Sequence, residues 1–185
     1  LCSPHNPPGR VWEREELETL VDICAERNLI IVSDEIHCDL IYKGVTHIPL
    51  PLIKPEYSDR IITCTAPSKT FNLAGLQISN IITPDETLRQ KFRKALMKNG
   101  MVDPNSFAAV AMEVAYTYGA DWLDELMVYI KGNLEYMKTA LRALLPKVSI
   151  IEPEGTYLVW TDFRGFGLGH RELLRIFIEE AKVAP

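Results

Sequence analysis

Apolar and polar positions in the first half of the chain follow a helical spacing first and strand spacings afterwards. Within residues 12–28 the apolar side chains recur on one helix face, at Leu17, Leu20, Val21 and Cys24. Acidic residues crowd the first turn of this stretch, so it predicts an amphipathic helix that ends near Asn28. Short apolar runs between polar or proline-containing segments predict three strands, at residues 29–33, 60–65 and 78–83.

Helical patterns dominate the next part of the chain. Residues 84–100 begin with Pro84 and acidic residues and end with Gly100, which marks both ends of a helix. Residues 104–119 are more apolar, and we expect them to be buried. From 121 onward a long helical pattern continues to residue 145. Its stripe of leucine, methionine and tyrosine is expected to pack in the core.

The 121–145 pattern is long enough to connect two domains, with Gly132 as a candidate bend. Beyond it, residues 148–163 predict two strands around a turn, and residues 170–182 predict a last helix. The sequence GFGLGH at 165–170 lacks the GxGxxG spacing of a nucleotide-binding loop, so we expect a flexible turn there.

Strands separated by helices predict an α/β fold, with a mostly parallel sheet and helices on its faces. In such sheets ligands bind outside the carboxyl ends of the strands. Asn6 follows what resembles the tail of a first strand, Asp34 ends the next predicted strand, and Lys69 follows the one after. An amide, a carboxylate and an amine at one sheet edge predict a site for a small molecule.

Composition excludes several classes of partner. The 185 residues are 47% hydrophobic, enough for the core of one domain or a domain and a half. The net charge is −5 and no long run of like charges occurs, which argues against a nucleic-acid partner. No apolar stretch is long enough to span a bilayer. Because the chain starts without methionine, we expect it to be part of a longer protein.

The four cysteines lie far apart without a CxxC pair, at Cys2, Cys24, Cys38 and Cys64. This spacing favours reduced thiols in a cytoplasmic protein over a disulfide framework or a zinc site. His37 is next to Cys38 and Asp39, but no second cluster of histidines or cysteines completes a site. No metal is therefore predicted.

Lys69 is closely flanked by apolar segments, so either its charge is paired or its amine is used chemically. A desolvated lysine loses its proton readily, and its amine can then form a Schiff base and later transfer a proton. Pyridoxal 5′-phosphate needs such a lysine and an acid that keeps its pyridine nitrogen protonated, a role that Asp34 fits. Asn6 and His37 can donate hydrogen bonds to the ring hydroxyl, and Ser68 can contact a phosphate oxygen.

Each candidate also has a purely structural interpretation. Lys69 taken alone would be a surface lysine on a loop. Asp34 can cap the segment that follows it, and Glu35 is a competing carboxylate at the same edge. Asn6 precedes two prolines and can simply shape a turn.

Three segments together resemble a known family. HNPPGR at 5–10, SDEIHCDLIY at 33–42 and SKTFNLAGL at 68–76 resemble the signature segments of fold-type I pyridoxal-phosphate enzymes in the class I/II aminotransferase superfamily. The combination of SDEIHCD with APSKTFNLAG is similar to the MalY/PatB type of cystathionine β-lyase. The resemblance covers nearly the whole chain. It implies that residues 1–130 form the second half of a large cofactor-binding domain and residues 131–185 the beginning of a small α+β domain.

The resemblance assigns a role to most of the candidate residues. It implies that Lys69 is the catalytic residue and forms the internal aldimine with pyridoxal 5′-phosphate. Asp34 is implied to pair with the pyridine nitrogen, and Asn6 to bond the ring hydroxyl. His37 stands where many aminotransferases have a tyrosine for that same hydroxyl.

Two positions depart from the pattern of many aminotransferases. Ala66 stands three residues before the lysine, in place of a small hydroxyl residue or glycine. Gln77 stands eight residues after the lysine, in place of an arginine that holds the phosphate. The phosphate would then depend on Ser68 and on groups outside this chain, which weakens assignment to the transaminating branch.

The resemblance leaves three functions open for the full-length protein. The first is a carbon–sulfur β-lyase that acts on a sulfur-containing amino acid and yields a thiol, pyruvate and ammonia. The second is an aminotransferase, and the third is a non-catalytic binding protein with the same fold. A homodimer is implied in each enzyme case. The family's phosphate loop, stacking ring and carboxylate-binding arginine have no matching motif here, so we expect no activity from these residues alone.

Overall fold

The computed structural model describes residues 1–101 and 103–184 of the chain. Its helices are α1 (Arg14–Glu26), α2 (Pro67–Thr70), α3 (Glu86–Lys98), α4 (Ser106–Tyr118), α5 (Ala120–Leu144) and α6 (His170–Arg175). Its strands are β1 (Ile31–Asp34), β2 (Ile61–Thr65), β3 (Asn80–Ile82), β4 (Ser149–Ile150) and β5 (Thr161–Asp162). The helix and strand types predicted from the sequence are confirmed, and α2 is an additional short helix that the sequence did not predict.

The main sheet has the order β1-β2-β3 and is mixed. β1 and β2 run parallel, with Asp34 opposite Cys64, and β3 runs antiparallel to β2. Residues 1–3 extend the sheet on the other side of β1, because Ser3 N donates to Asp34 O at 3.0 Å and Asp34 N donates to Leu1 O at 2.8 Å. The carboxyl ends of β1 and β2 therefore lie side by side at one edge.

The hydrophobic core lies between α1 and the sheet. Its fully or nearly fully buried members come from the helix, both parallel strands and the 50–53 turn, and are Leu17, Val21, Ile31, Leu50, Ile53 and Ile61. Alternation in β1 buries Ile31 and Ser33 on the face toward this core, and exposes Val32 and Asp34 on the other face. The period of two that defines a strand thus decides which side chains reach the sheet's second face.

The N-termini of α3 and α4 are fixed by side-chain caps. Asp85 Oδ1 accepts a hydrogen bond from Leu88 N at 2.6 Å, and Asn105 Oδ1 accepts from Phe107 N at 3.1 Å and Ala108 N at 2.9 Å. Such caps satisfy backbone N–H groups that have no partner within the helix. They explain why both helices begin within two residues of the predicted starts.

The predicted burial of residues 104–119 is wrong for this chain. Ala108 is the only buried residue of α4, whereas Phe107 is 80% exposed and Tyr118 is 78% exposed. The helix contacts α2 and α5, and its remaining apolar face is not covered by the described residues. Apolar composition indicates that a face needs a partner, but it does not say that the partner is in the same chain.

The apolar stripe on α5 is only partly packed. Leu134 is buried, and Leu123, Leu126 and Leu141 are half-buried, whereas Val128, Tyr129, Tyr136 and Leu144 are exposed. The helix runs without a break through Gly132, the candidate bend. Within the described ranges, none of the helices combines the length and apolarity needed to cross a bilayer.

Residues 148–163 do contain two antiparallel strands, but each is only two residues long. The stretch between them leaves the strand direction and packs against the beginning of the chain. Glu154 N and Gly155 N both donate to Gly9 O, and Thr156 N donates to Leu40 O at 2.8 Å. These backbone bonds place residue 157 beside the carboxyl edge of the main sheet. The GFGLGH segment forms a turn, as predicted, with Gly167 at φ +69°.

Candidate active site

Asp34 presents its carboxylate from a firmly held backbone. Hydrogen bonds to residues 1 and 3 fix its main chain on one side, and the parallel ladder with β2 fixes it on the other. Its side chain is exposed, and Oδ1 accepts a hydrogen bond from Ile36 N at 3.2 Å. Asp34 does cap the segment that follows, but its side chain is exposed and Oδ2 accepts no hydrogen bond from any described residue.

Glu35, the competing carboxylate, is buried, and both of its oxygens contact other groups of the protein. Its Oε1 accepts hydrogen bonds from Ser33 Oγ at 2.8 Å and from Leu50 N at 3.0 Å. Its Oε2 lies 3.0 Å from His47 Nε2. Because Glu35 points toward the core and Asp34 points away from it, the geometry favours Asp34 as the carboxylate available to a ligand.

His37 is almost completely buried, with 1% of its surface exposed. Its ring meets the ring of Tyr157 edge to face, with centroids 5.6 Å apart, and within the described residues neither ring nitrogen has a hydrogen-bond partner. Burial, followed by the positive charge of Lys69, lowers the pKa of His37 below its ordinary value of 6.5, and Asp34 opposes the shift only weakly. The imidazole is therefore neutral at pH 7, with one nitrogen able to donate.

Lys69 and Ser68 lie on α2, directly after β2. Both are half-buried and line a depression of about 350 Å³, whose other walls are largely aromatic and aliphatic side chains of α5 together with Tyr157. The parallel pairing of β1 and β2 brings this helix to the edge where Asp34 and His37 lie. Asp34 and the segment that carries Lys69 thus follow the carboxyl ends of two neighbouring parallel strands.

Asn6 lies in a tight loop that the structure carries to the same edge. His5 N donates to Arg10 O at 2.7 Å, and Gly9 N donates to His5 O at 2.8 Å. The Asn6 side chain is exposed, while the backbone before it pairs with β1. The residue shapes a turn, and its amide is also free to reach a ligand.

The two departures from the aminotransferase pattern have clear positions. Ala66 is buried in extended backbone just before α2 and carries no polar group for a phosphate. Gln77 is exposed and left-handed, with φ 52°, at the end of the 74–76 turn. Ser68 remains the candidate phosphate contact on this segment.

Two features near the site were missed by the sequence reasoning. Thr70 Oγ1, fully buried, donates a hydrogen bond to Asp39 Oδ2 at 2.8 Å. Thr156, also fully buried, has φ +68°, a conformation that is strained for a β-branched residue. This strained residue directly precedes Tyr157, which packs on His37. A threonine in the tripeptide GTY was the only available signal, and the strand pattern of its neighbours masked it.

The thiols near the site are protected from ionisation. Burial, with the nearby carboxylates of Asp39 and Glu35, raises the pKa of Cys38 to about 12. Burial also raises the pKa of Cys64. All four cysteines are free, and among the described residues no group of three potential metal ligands occurs.

Comparison with known proteins places this geometry in a family. The sequence profile of aminotransferase class I and II matches residues 1–184. The chain belongs to that family. Its curated relatives include cystathionine beta-lyase PatB of Bacillus subtilis, 46% identical over 99% of this chain and 47% of PatB, and protein MalY of Escherichia coli, 35% identical over 100% of this chain and 47% of MalY. The chain thus spans about half the length of these relatives.

Solved structures of family members agree with the fold. Cystalysin from Treponema denticola, whose crystal structure contains a pyridoxal 5′-phosphate cofactor, is 37% identical to this chain with a TM-score of 0.95. That match covers 98% of this chain and 46% of cystalysin. A pyridoxal-phosphate-bound C–S lyase from Staphylococcus hominis is 38% identical with a TM-score of 0.81, over 100% of this chain and 43% of the lyase. The predicted fold class is confirmed.

Proposed function

We propose that the full-length protein is a pyridoxal-phosphate-dependent carbon–sulfur β-lyase of the cystathionine β-lyase type. The observation that carries this proposal is that Asp34, His37 and Lys69 all follow the carboxyl ends of two adjacent parallel strands, with neither ring nitrogen of the buried, neutral His37 hydrogen-bonded to any described residue. Buried polar atoms without partners are rare in folded proteins, and each one calls for an explanation, of which a catalytic role is one. The curated relatives named cystathionine beta-lyase support the choice of reaction.

The residues present fit the cofactor. Lys69 supplies the amine that would hold the pyridoxal aldehyde, and Asp34 the carboxylate that would keep the pyridine nitrogen protonated. Neutral His37 and Asn6 would donate hydrogen bonds to the ring hydroxyl, and Ser68 would contact the phosphate. When bound, pyridoxal phosphate supplies an electron-accepting ring that stabilises negative charge at the α-carbon of an amino acid.

Lys69 is also the proposed proton carrier of the reaction. Its amine takes the proton from the α-carbon of the substrate, after which the bond between the β-carbon and sulfur breaks and the thiolate leaves. Addition of water to the remaining three-carbon fragment yields pyruvate and ammonia, so the elimination balances without an oxidant. Lys69 is half-buried at the depression, where its amine lies among largely apolar walls.

Transamination is the alternative that uses the same residues. It is supported by relatives such as the aspartate aminotransferase of Geobacillus stearothermophilus, 27% identical over 100% of this chain and 47% of that enzyme. The departures at Ala66 and Gln77 favour the lyase. The two reactions differ in their products: the lyase releases pyruvate and thiol from cystathionine in equal amounts without a keto-acid acceptor, whereas an aminotransferase requires the acceptor.

The attachment point provides a direct test. Borohydride reduction of the full-length protein, followed by peptide mapping, should place the pyridoxyl label on Lys69, and Lys69→Ala should abolish both the label and the visible absorbance. A label on a different lysine would contradict the assignment.

For the intact enzyme we further propose a homodimer in the cytoplasm, which is supported by the exposed apolar face of α4 and the four free cysteines.

A further inference from the structure

The placement of Lys69 relative to Asp34 and His37 is not fixed by the sheet alone. The backbone bond from Glu35 N to Cys64 O, 2.9 Å long, lies at the end of the β1–β2 pairing. Beyond it the chain leaves the sheet in two separate segments, residues 36–42 with His37 and residues 66–70 with Lys69. Their relative position depends on contacts made after the strands end.

The helix that carries Lys69 is too short to hold its own position. α2 has four residues, whereas isolated helices need roughly 12–15 residues to be even marginally stable in water. Two of its residues, Pro67 and Thr70, are fully buried, so the segment is held from outside. Contacts by these buried residues therefore determine where the lysine amine lies.

A hydrogen bond between Asp39 and Thr70 connects segment 36–42 to segment 66–70. Thr70 Oγ1 donates to Asp39 Oδ2 at 2.8 Å across 31 residues of sequence. Among the described residues, this is the side-chain hydrogen bond that joins segment 36–42 to segment 66–70. Thr70 follows Lys69 directly, and Asp39 lies two residues after His37. The bond is partly buried, and a hydroxyl that donates to a carboxylate makes a short and directional contact.

Asp39 is itself held on its other oxygen, since Cys38 Sγ lies 3.7 Å from Asp39 Oδ1. Segment 36–42 is fixed at its beginning by the buried Glu35, which binds Leu50 N and His47. The carboxylate that accepts the hydrogen bond from Thr70 therefore belongs to a loop that is anchored at its beginning. In that setting the hydrogen bond transmits position from the His37 loop to α2.

We propose that Asp39 and Thr70 are positioning residues that hold the Lys69 amine at its working distance from Asp34 and His37. Neither residue needs to touch the cofactor or the substrate. The inference rests on the proposed function, because it assumes that Lys69 binds pyridoxal phosphate. Its distinctive consequence is that loss of the bond changes the electrostatic surroundings of Lys69 as well as stability.

The test uses three variants of the full-length protein and one control. Thr70→Val removes the hydroxyl, Thr70→Ser retains it, and Asp39→Asn keeps the shape of the acceptor but removes its charge. Thr139→Val is the control, because Thr139 Oγ1 donates to Glu135 O at 2.9 Å on the exposed face of α5, away from the site. For each protein the visible absorbance is titrated with pH, the dissociation constant of pyridoxal phosphate is measured, and the cofactor-free protein is melted.

Thr70→Val is expected to move the midpoint of the absorbance titration by about 0.5 pH unit or more, because the pKa of the nitrogen depends on nearby charges and hydrogen bonds. Its dissociation constant for the cofactor should rise about tenfold. Thr70→Ser and Thr139→Val should match the wild type in both measurements. Asp39→Asn should give a midpoint and a dissociation constant between those of the wild type and Thr70→Val. This variant provides the test if Thr70→Val fails to fold.

An unchanged midpoint and affinity in Thr70→Val and Asp39→Asn, with only a lowered melting temperature, would show a purely structural bond and overturn the proposal. A shift in Thr70→Ser as large as that in Thr70→Val would also overturn it. A wild-type protein without visible absorbance, or labelled on a lysine other than Lys69, would instead refute the proposed function on which the inference rests.

Discussion

At the scale of single residues, His37 is an ionisable group whose protonation is controlled by burial. Burial lowers its pKa in the folded protein relative to the ordinary value of 6.5. Well above pH 6.5 the imidazole is neutral in both folded and unfolded chains, so it adds no pH dependence there. Below that pH the unfolded chain binds the proton more readily. Stability should therefore fall as the pH falls from 6.5 toward the depressed folded value.

This effect can be isolated by comparing wild type with His37→Phe in the cofactor-free full-length protein. The melting temperature of the wild type should fall more steeply between pH 7 and pH 5 than that of the variant, and the two slopes should agree between pH 7 and pH 8. Parallel curves over the whole range would show that His37 does not titrate in this way.

Removing the charge of Asp34 should lower turnover, whereas removing the charge of the adjacent Glu35 should lower stability. Asp34→Asn is expected to lower turnover of the full-length enzyme by orders of magnitude, because an amide cannot keep the pyridine nitrogen protonated and several kcal/mol are lost from the transition state. Glu35→Gln should instead lower stability by about 1–3 kcal/mol, since it weakens a buried network with Ser33, His47 and Leu50.

Steady-state kinetics and thermal melting of both variants separate these roles. The expected pattern is a near-normal melting temperature with lost turnover for Asp34→Asn, and the opposite for Glu35→Gln. Near-normal turnover of Asp34→Asn would assign the pyridine contact to another carboxylate.

At the scale of elements, alanine substitutions at Gly132 and Gly119 should have opposite effects on stability. Nothing lies within 4 Å of a Cβ built on Gly132, in the middle of α5. Gly132→Ala should therefore stabilise the protein by about 0.5–1 kcal/mol through helix propensity alone. At Gly119, between α4 and α5, an added Cβ would lie 2.4 Å from both Ala115 O and Phe71 Cε1.

Gly119→Ala should consequently be destabilising, because the helix carbonyl and the aromatic ring must both move. Thermal unfolding of the two alanine variants against wild type measures the difference in sign. Equal shifts for the two variants would show that the packing between Phe71 and the α4–α5 junction is not tight.

Elements with strong local signals could be predicted from the sequence, and elements defined by distant contacts could not. The 86–98 helix carries its own cap at Asp85, and the sheet edge followed from strand order. The 148–163 region forms only two very short strands, because residues between them donate backbone hydrogen bonds to Gly9 and Leu40. No local sequence pattern predicts these distant contacts. The Thr70–Asp39 bond was missed for the same reason, since it joins residues 31 positions apart.

At the scale of the whole molecule, the exposed apolar side chains decide how the isolated chain behaves. Phe107 and Tyr118 on α4 and Val128 and Tyr136 on α5 each expose more than two thirds of their surface. Large exposed apolar surfaces favour association with other molecules in water. We predict that the purified 185-residue chain is folded but self-associates, which sedimentation at several concentrations would reveal as a rising average mass. A monomer at all concentrations would contradict this.

The same chain should have no measurable lyase or transaminase activity. Ser68 is the proposed phosphate contact in this chain, and one hydroxyl is far less than the several amides and the cation that normally hold a phosphate dianion. Assays with cystathionine and added cofactor, run beside the full-length enzyme, test this. Turnover comparable to the intact enzyme would show that the site is complete within these residues.

The approach of Gly9 to residues 153–155 sets an order of events during synthesis. Gly9 O receives the backbone N–H groups of Glu154 and Gly155, and a Cβ at Gly9 would lie 2.7 Å from Pro153. The ribosome makes residue 9 about 145 residues before its partners, because synthesis proceeds from the N-terminus. Nascent chains stalled before residue 153 should therefore expose the Asn6 loop to protease, and chains extended beyond it should begin to protect that loop.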